Sequence, residues 1–190
     1  MDEILQTTLA DAIRFLEAQQ IRYALIGGLA ASLLGEPRVT ADVDLVIAAD
    51  VDHALRLVKA LQGSKFRPLF DQVEEVVQKA FILPLKHRLT TVKVDLVLGL
   101  SGFEQQVIAR AKPTEIAGLT VSVATAEDLL IMKVLAGRPQ DEQDLHGLVI
   151  AQRENLDWKY CLKLAADLAE SIGQDLIGRV KALRDGHHRK

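Results

Sequence analysis

The chain has 190 residues, is 49% hydrophobic and 26% charged, and carries a formal charge of −3. That length buries a core without staples and sets one domain, or one with a small appendage, while the balance excludes a disordered or fibrous protein. The mild acidity provides no global basic field for nonspecific nucleic-acid binding, and Cys161, the single cysteine, excludes an internal disulfide or cysteine-based zinc knuckle and fits a reducing, cytoplasmic setting.

Leu5, Leu9, Ile13 and Leu16 recur at helical spacing among Asp11, Arg14 and Glu17, which predicts an amphipathic first helix. Tyr23 to Ile26 reads as a short strand stopped by Gly27-Gly28, and Leu29 to Leu34 as one or two helical turns ending at Gly35. The uncharged stretch from Tyr23 to Gly35 is shorter than the roughly 20 apolar residues of a membrane helix, so no membrane association is expected. Met1-Asp2-Glu3 is acidic where a secretory signal is basic, and Gly186 to Lys190 is expected to fray.

Val43 to Ala48 reads as a strand, and Val51 to Leu61 as a helix capped by Asp50 and closed by Gly63. Phe66 to Phe70, Ala80 to Leu85 and Thr91 to Leu98 are strand candidates, and Lys86-His87-Arg88 between the last two reads as a solvated hairpin turn, while His87 by itself, without metal-ligand spacing, reads as a surface or satisfied structural histidine. Ser101 to Ala111 is helical in pattern, Leu119 to Val123 is a short strand, and Thr125 caps a helix running to Gly137. Only helices follow: Pro139 to about Arg153, Trp158 to Glu170, and Ile172 to Leu183. The expected organisation is an α+β core with a mixed sheet flanked by helices over residues 1–124, followed by a C-terminal helical bundle over residues 125–190.

Chemistry concentrates in a few residues. Side chains alternate across a strand, so Asp42 and Asp44 point to one face while Val43 points to the other. Asp95 in Lys93-Val94-Asp95-Leu96-Val97 has a similar setting. If the two strands are neighbours, three carboxylates converge, and their repulsion calls for a cation; hard oxygen ligands suit Mg2+ or Mn2+. Without Cβ atoms, Gly27-Gly28 lets a triphosphate approach the backbone at a helix N-terminus. Arg38 lies between turn and carboxylates, where a phosphate contact is expected. Lys93 shares a strand face with Asp95 and either tunes the site or offsets its charge. A glycosyltransferase using the Asp-x-Asp triplet is the rival that the upstream glycine turn argues against.

Gly27-Gly28, then Arg38-Val39-Thr40-Ala41-Asp42-Val43-Asp44-Leu45, then Val94-Asp95-Leu96 resemble the DNA polymerase β nucleotidyltransferase superfamily. Lys133 to Leu145, with Arg138, Asp141 and Asp144, is similar to the helical segment of minimal, AbiEii-like toxin nucleotidyltransferases. The resemblance implies a nucleotidyltransferase that moves a nucleoside monophosphate from a nucleoside triphosphate to a hydroxyl. It further implies that Asp42, Asp44 and Asp95 hold catalytic Mg2+ or Mn2+ and that Gly27 and Gly28 hold phosphates. Lys133 and Arg138 either reach those phosphates or join Asp141 and Asp144 in a structural ion-pair network. Many members have Gly-Ser where this chain has Gly27-Gly28, and Ser32, one turn on, is the expected substitute for that hydroxyl. The expected partners are the triphosphate, a tRNA or protein acceptor, and an antitoxin protein if the chain is a toxin. A non-catalytic nucleotide- or partner-binding module on the same fold is the alternative.

Overall fold

In the computed structural model, residues 1–152, 155–173 and 175–187 are described. The expectations for Arg153 and for the tail beyond residue 187 lie outside them. The chain divides into two compact units, residues 1–29 with 40–124, and residues 30–39 with 125–190.

The first unit holds all seven strands among the described residues: β1 (Tyr23–Ile26), β2 (Asp42–Ile47), β3 (Phe66–Pro68), β4 (Ile82–His87), β5 (Lys93–Leu98), β6 (Lys112–Ile116) and β7 (Leu119–Val123). They form one sheet in the order β3-β4-β5-β2-β1-β7-β6. β2 runs parallel to β5, and β1 parallel to β7, while the remaining neighbours are antiparallel, so the sheet is mixed as expected. Four helices of this unit are α1 (Glu3–Ala18), α3 (Val51–Ala60), α4 (Val73–Ala80) and α5 (Gly102–Arg110); α2 (Gly27–Leu34) starts here and runs into the second unit.

Local chemistry explains the boundaries. The Asp50 carboxylate accepts the His53 amide at 2.7 Å and starts α3, and Ser101 with Glu104 forms a capping box on α5. Val43, Leu45, Val94, Leu96, Leu83 and Leu85 are all buried on the sheet face that also carries Phe66 and His87. Helix α1 covers this face: the rings of Phe15 and Phe66 stand 6.1 Å apart, and Asp11 reaches His87. The hydrophobic core thus lies behind the face that bears the carboxylates.

Three sequence expectations change. His87 is not part of a solvated turn: it ends β4, is 1% exposed, and bonds the Asp11 carboxylate through Nε2 at 3.1 Å. Helix α4 and strand β6 occupy stretches with no expected element. Strand β6 is an edge strand with Lys112, Pro113 and Glu115 largely exposed, which removes the alternation that marks a half-buried strand and tolerates proline.

The second unit contains α6 (Ala126–Ala136), α7 (Pro139–Gln152), α8 (Trp158–Ile172) and α9 (Leu176–His187), with residues 30–39 packed among them. Thr125 caps α6 by accepting the Asp128 amide. Ile172 belongs to α8 rather than to the last helix, because Gly173 turns left-handed and closes α8 onto the Ala169 carbonyl. Segment 30–39 lies hard against α7: a Cβ on Gly35 would stand 2.9 Å from the Leu148 nitrogen, and one on Gly147 3.0 Å from that of Glu36. Among the described residues no helix is long and apolar enough to cross a membrane.

Candidate active site

Strands β2 and β5 pair in parallel with Asp42 opposite Lys93 and Asp44 opposite Asp95. Opposed residues share a face, so the structure brings the three carboxylates and the Lys93 ammonium onto one surface. The Lys93 Nζ donates to Asp95 Oδ2 at 2.7 Å, while Asp95 Oδ1 is buried without a hydrogen-bond partner. Among the described residues, no three carboxylate, imidazole or thiol groups are gathered into a metal-holding cluster in this arrangement. The donor set nevertheless fits a hard divalent cation, since an unbonded carboxylate oxygen lies in a row with two further aspartates.

The electrostatics follow from that crowding. Burial pushes the Asp44 carboxyl above the usual range, and the Asp95 and Asp42 charges push it further; a hydrogen bond from the Gly28 amide and the charge of Lys93 partly offset them. The hydrogen bond to Asp95 holds the Lys93 ammonium above its ordinary value against burial, with the aspartate charges adding to the effect.

The glycine turn is built around Asp44. Ile26, the last residue of β1, pairs with Asp44, so the chain turns beside that carboxylate. Gly27 has φ +69°, and a Cβ there would lie 1.9 Å from Asp44 Oδ2 and 2.6 Å from Asp44 Cβ. Backbone conformation and the neighbouring side chain both require glycine. Sequence reasoning assigned this turn to a phosphate and missed its contact with Asp44, which depends on β1 lying next to β2.

The other candidate residues lie in the second unit and form their own network. Arg38 grips Asp144 with two donors: Nε donates to Oδ1, and Nη2 to Oδ2 at 2.8 Å. The Lys133 Nζ bonds Asp144 Oδ2 and lies 3.1 Å from Asp141 Oδ1, and all three side chains are buried. Burial alone would raise the Asp144 carboxyl, but hydrogen bonds from Arg38 and Lys133 and their charges hold it below the usual range. The Ser32 hydroxyl accepts the Arg38 amide at 3.1 Å and meets the Arg38 carbonyl at 3.3 Å, so it closes the loop that presents Arg38. Arg138 differs, with a side chain 66% exposed and its Nε 4.0 Å from Asp141.

The mixed sheet thus carries Asp-x-Asp on one strand, a third aspartate opposite it, and a glycine turn at the end of the adjacent strand. The chain belongs to the family described as nucleotidyltransferase of unknown function (DUF6036), whose sequence profile matches residues 5–180. No curated protein matches the chain in sequence. Solved structures share the fold. The solution structure of the antibiotic-resistance factor ANT(2'')-Ia is 17% identical, with all of both chains covered and a TM-score of 0.55. An antigenic nucleotidyltransferase-like protein from Paracoccidioides brasiliensis is 22% identical over 92% of this chain and 91% of its own, at a TM-score of 0.51. A lincosamide antibiotic adenylyltransferase, LnuA, bound to lincomycin is 15% identical over 78% of this chain and 96% of its own, at 0.52.

Proposed function

We propose that the chain transfers a nucleoside monophosphate from a nucleoside triphosphate to an acceptor hydroxyl, with Asp42, Asp44 and Asp95 holding Mg2+ or Mn2+. The observation that carries this reading is the pairing of Asp44 with Asp95 on one sheet face, with Asp95 Oδ1 buried and unbonded. A divalent cation bound there supplies neutralisation of the charge on the reacting phosphates. The remaining chemistry belongs to the chain. The acceptor oxygen forms a bond to the α-phosphorus as the bond from that phosphorus to the α–β bridging oxygen breaks, and pyrophosphate leaves with the electron pair. The hydroxyl proton passes to the Asp95 carboxylate. Gly27 and Gly28 begin α2, whose first amides offer donors to phosphate oxygens, with the Gly28 amide shared with Asp44.

Of the residues assigned to nucleotide contact in the second unit, Ser32, Arg38 and Lys133 have protein partners, so we assign them to holding the Asp144 network together. Arg138 is assigned to phosphate contact, because its exposed guanidinium can engage an anion without breaking a buried pair. The likeness to minimal toxin nucleotidyltransferases extends the proposal to a tRNA or protein acceptor, and to a toxin opposed by an antitoxin.

Incubation with each triphosphate labelled at the α-phosphorus, a divalent cation and a pool of small RNAs and proteins tests the reaction. Wild type should leave label on an acceptor, and Asp95→Asn should abolish labelling while still binding nucleotide. The charge of Asp95 matters most when charge develops in the transition state, whereas the amides of the turn act in the ground state as well. Equal labelling by the two proteins removes Asp95 from catalysis. If wild type and variant bind nucleotide and neither labels any acceptor, the chain is a binding module. Growth arrest on expression, absent with Asp95→Asn, tests the toxin role.

A further inference from the structure

The acidic face carries Asp42, Asp44 and Asp95, and Lys93, with Lys86 of β4 opposite it, brings cations to the same face. Lys93 opens β5 opposite Asp42, and Asp95 follows two residues later opposite Asp44, so alternation puts Lys93 on the same face as all three carboxylates. Its Nζ touches Asp95 Oδ2 at 2.7 Å, and its side chain is 39% exposed against 17% for Asp95. An ammonium on a flexible stem therefore reaches inward from the surface to a more enclosed carboxylate, and it can return to water without unpacking the core.

The contact is costly for a second cation. A divalent ion drawing on Asp95 needs oxygens from the same carboxylate that Lys93 holds, and two like charges within a few ångströms repel strongly even where solvent screens them. Lys93 is also the cation that stands opposite Asp42 and two residues from Asp95, and without it the Gly28 amide would be left to offset the repulsion at Asp44. Resting on the reading of Asp42, Asp44 and Asp95 as the cation-holding face, we propose that Lys93 is a built-in counter-ion that orders Asp95 before the cation binds, competes with the divalent cation for the Asp95 carboxylate, and is displaced when that cation binds. Lys93 is thus a positioning residue, which sets how readily the site accepts its ion and where the Asp95 carboxylate points beforehand.

Mn2+ titration with free Mn2+ counted by electron paramagnetic resonance tests this without any turnover. Wild type, Lys93→Met, Lys93→Arg and the Asp42→Asn/Asp44→Asn double variant are compared, each first checked for folding by circular dichroism. Losing a full positive charge at the edge of the site should tighten Mn2+ binding in Lys93→Met by about tenfold or more. Lys93→Arg, which keeps the charge, should stay close to wild type, an outcome that a purely steric role would not give. In a second readout, the side-chain nitrogen resonance of Lys93, identified by its loss in Lys93→Arg, should shift on addition of Mg2+. If Lys93→Met binds Mn2+ no more tightly than wild type while the double aspartate variant loses it, the counter-ion role is wrong and the metal reading stands. If Mn2+ binding ignores the double aspartate variant, the metal reading fails and the role of Lys93 falls with it.

Discussion

Replacing Gly27 by alanine probes the junction of the glycine turn and the acidic strand. The left-handed conformation at φ +69° costs an L-residue about 1–2 kcal/mol. The added methyl also lands 1.9 Å from Asp44 Oδ2 and 2.6 Å from Asp44 Cβ, an overpacking of the kind that costs about 1–3 kcal/mol. The expected loss is therefore about 2–5 kcal/mol. The steric part belongs to one partner, so it can be isolated in a double-mutant cycle with Asp44→Gly. Alanine at Asp44 would not serve, because Asp44 Cβ is itself within the clash. In the Asp44→Gly background, Gly27→Ala should cost only the conformational share, leaving a coupling of about 1–3 kcal/mol between the sites. Urea unfolding followed by circular dichroism, with unchanged slope as the check on the fit, gives all four stabilities. Additivity to within about 0.5 kcal/mol would refute the claim that this glycine exists to admit Asp44.

The raised Asp44 carboxyl has a signed consequence for pH. A carboxyl whose folded value lies above its unfolded value contributes stability that is fully present below the unfolded value and lost as pH rises through the folded one. Asp44→Asn should therefore melt higher than wild type at neutral pH in the presence of a chelator, and the gap should close toward acid; a gap that does not change with pH contradicts the assignment. Lys133→Met removes the buried cation that Asp141 and Asp144 share, leaving Asp144 to Arg38 and Asp141 to the Arg138 amide, which should cost about 1.5–3 kcal/mol by denaturant titration, whereas a loss under about 0.5 kcal/mol would show that the pairs are not buried as described. Burial, then the charges of Glu127, Asp157 and Asp128, push the Cys161 thiol up to about 12, so a thiol reagent at neutral pH should label it only as fast as the protein opens; fast labelling of the native chain would contradict that burial.

Some of this protein can be read from short-range rules. Period-two alternation alone fixes Asp42 and Asp44 on one face, and it groups Lys93 with Asp95. Caps at Asp50 and Thr125 follow from side chains that can satisfy the amides of the next turn, and those helices begin where the caps stand. Both depend on interactions within a few residues of chain, which composition and spacing record. Helix α4 escaped, although Val73, Val76, Val77 and Ala80 have helical spacing, because it is short and its N-cap residue Gln72 makes no side-chain capping bond.

Long-range pairing was not legible. Nothing in the sequence places β2 beside β5 in parallel, and only that register sets Asp44 opposite Asp95 and Asp42 opposite Lys93. Nothing in the 86–88 segment shows that His87 meets Asp11 of α1, and nothing in the 32–38 segment shows that Arg38 meets Asp144 of α7. The sequence determined which side chains carry charge and which faces of their elements they occupy, because backbone geometry dictates that locally. Tertiary structure alone decided which charges meet, because a contact between residues as far apart as Arg38 and Asp144 depends on the packing of whole elements and leaves no periodic trace in either segment.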